Sequence, residues 1–215
     1  MPRTKQQHID EFPTLPHAAS CELECFRDRL QEFVGNYGHI VLELGCGKGA
    51  YTLSLAQMNP ISGCIGIDIQ GERLWTGATT AHEQGLANTL FARMPIDRLV
   101  TYFTPHSIDE IWITFPDPYP RKKQAKKRLT SPGFLELYKQ ILKPHGLLHF
   151  KTDDETLFDY SVESLESVGA TIITLTKDIY LQPNLSPLLS IQTEYEKKHI
   201  ARGKEIHYFK AHMST

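Results

Sequence analysis

The sequence has no long hydrophobic run. Nothing in its 215 residues approaches the roughly 20 consecutive apolar positions of a membrane helix. Cysteine is scarce: Cys21, Cys25, Cys46 and Cys64 are all there is. None stands in a CxxC pair or at a zinc-like distance from histidine, so no metal is expected. Cys21 and Cys25 lie one helical turn apart, the spacing of residues packed on one helix face. Met1-Pro2-Arg3-Thr4-Lys5 leads into no apolar stretch of the secretory-signal kind, and with so little cysteine the expected compartment is the cytoplasm. Repeats, low-complexity tracts and interdomain linkers are absent as well. Nor is there an excess of either charge: 23 basic and 25 acidic residues leave −2, which by itself argues against a nucleic-acid partner.

The distribution of that charge says otherwise. Residues 121–128 read RKKQAKKR, with six basic side chains and no acid. The rest of the chain then holds 17 basic against 25 acidic residues, a balance of −8. An acidic body with one concentrated cationic segment points to a local contact with a polyanion.

Short apolar runs alternate with helical patterns. Residues 39–44, 63–68, 88–92, 109–115, 146–151, 170–176 and 206–211 read as seven strands. Between them, Thr130-Ser131-Pro132 opens a helix that runs to Lys143, before Pro144, with Phe134, Tyr138 and Ile141 as its buried stripe. A second helix starts near Asp154, its cap, and buries Leu157, Phe158, Val162 and Leu165. The pattern predicts an α/β fold: a Rossmann-like, seven-stranded, mostly parallel sheet with helices on both faces. Residues 1–38 read as an extension with one amphipathic helix from about Ser20 to Val34, and 39–215 as the main domain. Residues 181–192, with two prolines, read as a long surface loop.

The first strand runs into Glu43-Leu44-Gly45-Cys46-Gly47-Lys48-Gly49. Glycines at alternate positions let a nucleotide approach backbone N–H groups at the next helix start. Gly45, Gly47 and Ala50 also fit a dinucleotide loop, GxGxx[GA]. Two acids favour S-adenosylmethionine over a dinucleotide. Glu43, inside the strand, would accept from a cationic amino-acid end and repel a diphosphate. Asp68, ending the second strand, is placed for both ribose hydroxyls. A solvated strand end or a helix cap is the plain alternative for Asp68. For Glu43 there is less of one, because a carboxylate in an apolar strand is costly to bury unpartnered.

The fourth strand ends in Thr114-Phe115-Pro116-Asp117-Pro118-Tyr119-Pro120, ahead of the basic run, and the fifth in Lys151-Thr152-Asp153-Asp154. Ligands of open α/β sheets bind outside the carboxyl ends of strands, so Asp117 and Asp153 are expected to project into one crevice. With ELGCGKG, GID, FPDPYPRKKQAKKRLTSP, FKTDD and Thr193-Glu194-Tyr195-Glu196, the sequence resembles the bacterial tRNA (guanine-N7-)-methyltransferase family over residues 43 to 196. The resemblance implies that Glu43, Gly45, Gly47, Gly49 and Asp68 contact S-adenosylmethionine, with Asp117 as the catalytic carboxylate at the cofactor's edge. It implies substrate contacts at Arg121 and Asp153 and a far wall at Thr193, Glu194, Tyr195 and Glu196. It also implies RNA contacts at Lys122, Lys123, Lys126, Lys127 and Arg128, and as acceptor the variable-loop guanine numbered 46.

Three positions depart from the family pattern. Pro95 stands where an Asp or Asn meets the adenine, which leaves that contact to backbone at Met94 or Ile96. Tyr119 replaces a common tryptophan, and Arg121 a lysine. Guanine N7 carries a lone pair and no proton, so the implied chemistry needs no general base. Electrostatics and orientation would supply the catalysis, with Asp117, Asp153 and Glu196 as the carboxylates available to it. The competing readings are an exocyclic-amine methyltransferase, although Asp117-Pro118-Tyr119-Pro120 exchanges the proline and aromatic of that class, and an RNA-binding module with a vestigial cofactor pocket. A nicotinamide dehydrogenase ranks behind both. None of the ten histidines is assigned a role.

Overall fold

The computed structural model describes residues 4–213. Its centre is an eight-stranded sheet in the order β1-β4-β3-β2-β5-β6-β8-β7. The strands are β1 (Ala18–Ser20), β2 (Ile40–Leu44), β3 (Gly63–Asp68), β4 (Thr89–Arg93), β5 (Ile108–Thr114), β6 (Leu142–Thr152), β7 (Thr171–Thr176) and β8 (His207–His212). All pairings are parallel except those of β8, which runs antiparallel to both β6 and β7. The helices are α1 (Lys5–Glu11), α2 (Phe26–Gly35), α3 (Ala50–Met58), α4 (Gly71–Glu83), α5 (Leu99–Tyr102), α6 (Pro132–Ile141), α7 (Glu155–Ser167) and α8 (Glu194–Ile200).

Alternation along the central strands divides two cores. Leu42, Leu44, Ile111 and Ile113 face a cluster shared with α2, α6 and α7. Val41 and Trp112, on the other face, pack with Tyr51 of α3, Tyr208 and Leu189. Strand order reverses between β2 and β5, where Leu42 pairs with Ile111 and Glu43 with Trp112. That is the switch point at which an open α/β sheet leaves a crevice beyond its strand ends. No helix among the described residues is long and apolar enough to cross a membrane.

Several expectations change in detail. An eighth strand exists because Ala18–Ser20, in the N-terminal extension where no strand was expected, pairs with Phe91, Ala92 and Arg93 at the sheet edge. Residues 4–38 thus hold two helices and a strand rather than one helix, and α2 starts at Phe26, not near Ser20. Cys21 and Cys25 are not packed on a helix face. The first lies in the turn after β1, and the second is the exposed cap before α2. Helix α6 stops at Ile141 instead of Lys143: Leu142 already pairs with Ile108, and residues 143–146 bulge before Leu147 meets Glu110. Lys143 reaches Asp109 from that bulge, 2.7 Å away. On α6 it is Leu135, not Phe134, that is fully buried, and on α7 Ser161 is buried where Val162 is only half-buried.

Candidate active site

The turn after β2 is shaped by Gly45, Gly47 and Gly49, with φ of +75°, +57° and +73°. A side chain at Gly49 would also run into the Phe91 ring. Gly45 and Cys46 donate to the carbonyl of Ile67, which binds the turn to the end of β3. Asp68 completes it, accepting from Gly47 N and Gln70 N, both at 2.9 Å. Its carboxylate is thereby fixed by backbone. The amides of Lys48, Ala50 and Tyr51, at the start of α3, have no partner among the described residues.

Glu43 is 3% exposed. It accepts from the Thr52 amide at 2.8 Å, from the Thr52 hydroxyl, and from the Thr114 hydroxyl at 2.8 Å. These bonds favour the ionised form, yet burial outweighs them and pushes its carboxyl up to about 7. No cation pairs with it among the described residues, so a buried carboxylate stands at the cavity wall with room for one. The cavity, of about 340 Å³, is lined on one side by Glu43, Gly45, Cys46 and Lys48 and on the other by Thr114, Phe115, Thr193 and Tyr195. The glycine turn and the far wall therefore share one pocket.

The loop after β5 is held in an unusual conformation. Phe115 and Tyr119 take φ of +49° and +42°, a left-handed region that costs non-glycine residues energy and recurs at functional sites. Between them Asp117 is exposed and has no hydrogen-bond partner among the described residues. What stabilises the loop is Arg128, whose guanidinium donates to the carbonyls of Pro118 and Tyr119 at 3.1 Å each and lies 4.2 Å from the centre of the Tyr160 ring. Arg128 is buried, so the expected RNA contact there is replaced by an internal clamp. Lys122, Lys123, Lys126 and Lys127 point outward from a 3-10 turn over Lys122–Lys127, and Arg121 is exposed beside them.

Asp153 lies behind the pocket-lining Tyr195, and both its oxygens are engaged. His199 Nδ1 lies 2.8 Å from one, and the Tyr195 hydroxyl donates to the other at 3.4 Å. Tyr195 in turn stacks on His199, ring centres 4.1 Å apart, and leans against Phe115. Asp154 caps α7 as expected, accepting from Leu157 N. Thr193 caps α8 by accepting from Glu196 N, and Glu194 pairs with Lys197 at the surface. Glu196, expected at the substrate wall, is instead fully buried, 2.8 Å from Lys151 Nζ and accepting from the Tyr180 hydroxyl. Desolvation lowers the Lys151 pKa and the Glu196 charge raises it again. Lys151 also donates to the carbonyls of Leu189 and Ile191, so this pair fastens the 181–192 loop and α8 to the sheet.

Pro95 heads a short 3-10 turn. Of the two backbone groups expected to replace its missing side-chain contact, the Met94 amide is already spent on the carbonyl of Asp68 at 3.1 Å. Sequence reasoning missed Lys151, Arg128 as a clamp, and His199. The signal for Lys151 was a lone lysine inside an apolar strand, and nothing local marks His199.

A family model described as "Putative methyltransferase" matches residues 38–209. A curated tRNA (guanine-N(7)-)-methyltransferase of Bacteroides thetaiotaomicron is 43% identical over 180 residues, 84% of this chain and 71% of its own length. One from Christiangramia forsetii is 45% identical over 84% of this chain and 81% of its length. Among solved structures, the 16S rRNA methyltransferase KamB aligns with a TM-score of 0.66 at 11% identity, over 87% of this chain and 94% of that one. The 16S rRNA (adenine(1408)-N(1))-methyltransferase of Catenulisporales acidiphilia gives 0.62 at 14%, over 88% and 94%. At such identities the likeness is one of fold, the Rossmann-like sheet of methyltransferases.

Proposed function

The chain belongs to the tRNA (guanine-N7-)-methyltransferase family, whose reaction moves a methyl group from S-adenosylmethionine to N7 of a tRNA guanine; we propose that the acceptor here is variable-loop guanine 46 and that the reaction takes place in the cytoplasm. The observation that carries this reading is the shared pocket, in which the glycine turn with Glu43 faces Thr114, Phe115 and Tyr195.

When bound, the cofactor supplies an electrophilic methyl on a cationic sulfur. Glu43 suits its ammonium end, being a buried carboxylate with hydroxyl and amide donors but no cation. The free amides of Lys48, Ala50 and Tyr51 suit its carboxylate. Asp68, fixed by Gly47 and Gln70, is oriented for ribose hydroxyls, and the Ile96 amide is left for the adenine.

The three carboxylates divide the work. Asp117 has free oxygens and accepts from the N1–H and N2–H₂ edge of guanine, its charge offsetting the cationic ring that forms at N7. Asp153 orients Tyr195 and His199, which with Phe115 form an aromatic wall for the base. Glu196 and Lys151 anchor that wall. No proton leaves N7, so no residue acts as a base. Lys122, Lys123, Lys126 and Lys127 meet phosphates and provide affinity without reading sequence, with Arg121 at the edge of the acceptor pocket.

The test is incubation with unmodified tRNA and isotope-labelled cofactor, then nucleoside mass spectrometry. The expected product is labelled 7-methylguanosine. Label on the exocyclic amine of adenosine or cytidine, or none at all, would reject the assignment.

A further inference from the structure

A cleft of about 560 Å³, larger than the candidate active site, opens between α6 and α7. Its walls are apolar and partly aromatic, formed by Pro132, Phe134, Leu137 and Tyr160, with Lys126 and Asp97 at the rim. Asp97 follows β4, the α6 residues follow β5, and Tyr160 lies on the helix that follows β6. The cleft therefore belongs to the same end of the sheet as the glycine turn and Asp117, and no step of the reaction uses it.

Two observations identify its occupant. The first is charge: Lys122, Lys123, Lys126 and Lys127 stand exposed in one 3-10 turn at the cleft's edge, without an acidic partner among the described residues. An apolar peptide would have no use for these lysines, and a bare phosphate no use for Phe134 and Tyr160. A nucleotide uses both, the base against the aromatic wall and the backbone on the lysines. The second is connection. Tyr160 carries Arg128 on its ring, and Arg128 holds the adjacent Pro118 and Tyr119 carbonyls, directly after Asp117 in the acceptor loop. A base in the cleft would thus rest on the side chain that supports the clamp of the Asp117 loop.

We infer that this cleft binds an unpaired nucleotide of the tRNA near the methylated guanine, its base stacked against Phe134 and Tyr160 and an amino group donating to Asp97. The inference rests on the RNA reading given above but not on which guanine atom is methylated.

Leu137→Trp fills the cleft from α6, and Phe134→Ala removes one wall. The thermal midpoint of each variant confirms folding, and if the tryptophan prevents it, the alanine variant decides. Each should weaken binding of unmodified tRNA by roughly 5- to 150-fold, the range for losing one stacked base. Cofactor affinity and the slope of log affinity against log salt should stay unchanged, because no phosphate contact is removed. Lys126→Gln should do the reverse to the slope, lowering it by about 0.7–0.9. Folded variants that bind tRNA within twofold of the wild type overturn the inference. So does a loss of cofactor affinity with tRNA binding intact, which would make the occupant the cofactor's adenine. Product identity separates the two readings. If 7-methylguanosine still forms while the cleft variants are indifferent, only the cleft assignment falls.

Discussion

Glu43 shows how one residue links burial to function. Its free carboxyl is pushed up to about 7 because the apolar strand desolvates it more than the hydroxyls of Thr52 and Thr114 compensate. A cationic amine binds the ionised form, so cofactor binding should expel a proton and weaken as pH falls through 7. Calorimetric titration at pH 7.5 and at pH 5.5 should show affinity lower by on the order of tenfold or more at the acid end. A Glu43→Gln variant, with nothing there to titrate, should bind weakly at both. Asp117 is the opposite kind of residue, exposed, unpartnered and held in place by its neighbours' strained backbone. Asp117→Asn should keep cofactor affinity but lose turnover by about 100- to 1,000-fold, as when one preorganised electrostatic group is removed. Single-turnover rates check this, and an asparagine enzyme with wild-type rate would move the role elsewhere.

The elements that build the site differ in how much of them the sequence reveals. The glycine turn was legible because its spacing and its two acids are local chemistry; Glu43 and Gly45 line the pocket, and Asp68 ties the turn to the end of β3. Strand ends were legible for the same reason. Roles that depend on distant partners were not. Glu196 and Lys151 are 45 positions apart in sequence and meet only when α8 folds back over β6, so Glu196 read as part of the substrate wall. Breaking a buried ion pair leaves an uncompensated charge, so Glu196→Ala should cost about 3–5 kcal/mol of stability, measurable by denaturant unfolding. Arg128 was misread in the same way, since composition cannot tell the inward-facing member of a basic run from its neighbours. The two kinds of residue separate by experiment. Changing Lys122, Lys123, Lys126 and Lys127 to Gln should flatten the salt dependence of tRNA binding by about 0.7–0.9 per lost contact. Arg128→Gln should leave that slope alone and lower turnover by loosening the Asp117 loop.

At the scale of the whole molecule, the mostly parallel sheet flanked by helices was the most predictable feature, because solidly apolar early strands alternating with helices leave few alternatives. The short edge strand was the least predictable: Ala18–Ser20 has no alternating pattern and becomes a strand only because β4 offers it an unpaired edge. The order that results places β2 and β5 side by side, so the glycine turn and the acceptor loop open on one pocket. In that pocket a methyl donor would meet N7 of one tRNA guanine. Two tRNAs that differ at one ring position test this. One carries guanosine at position 46 and the other 7-deazaguanosine, which keeps the Watson–Crick edge but has no nitrogen at N7. With labelled cofactor, the first should take up one methyl per molecule and the second none, while both bind the enzyme equally. Equal labelling of the two tRNAs would mean that N7 is not the acceptor.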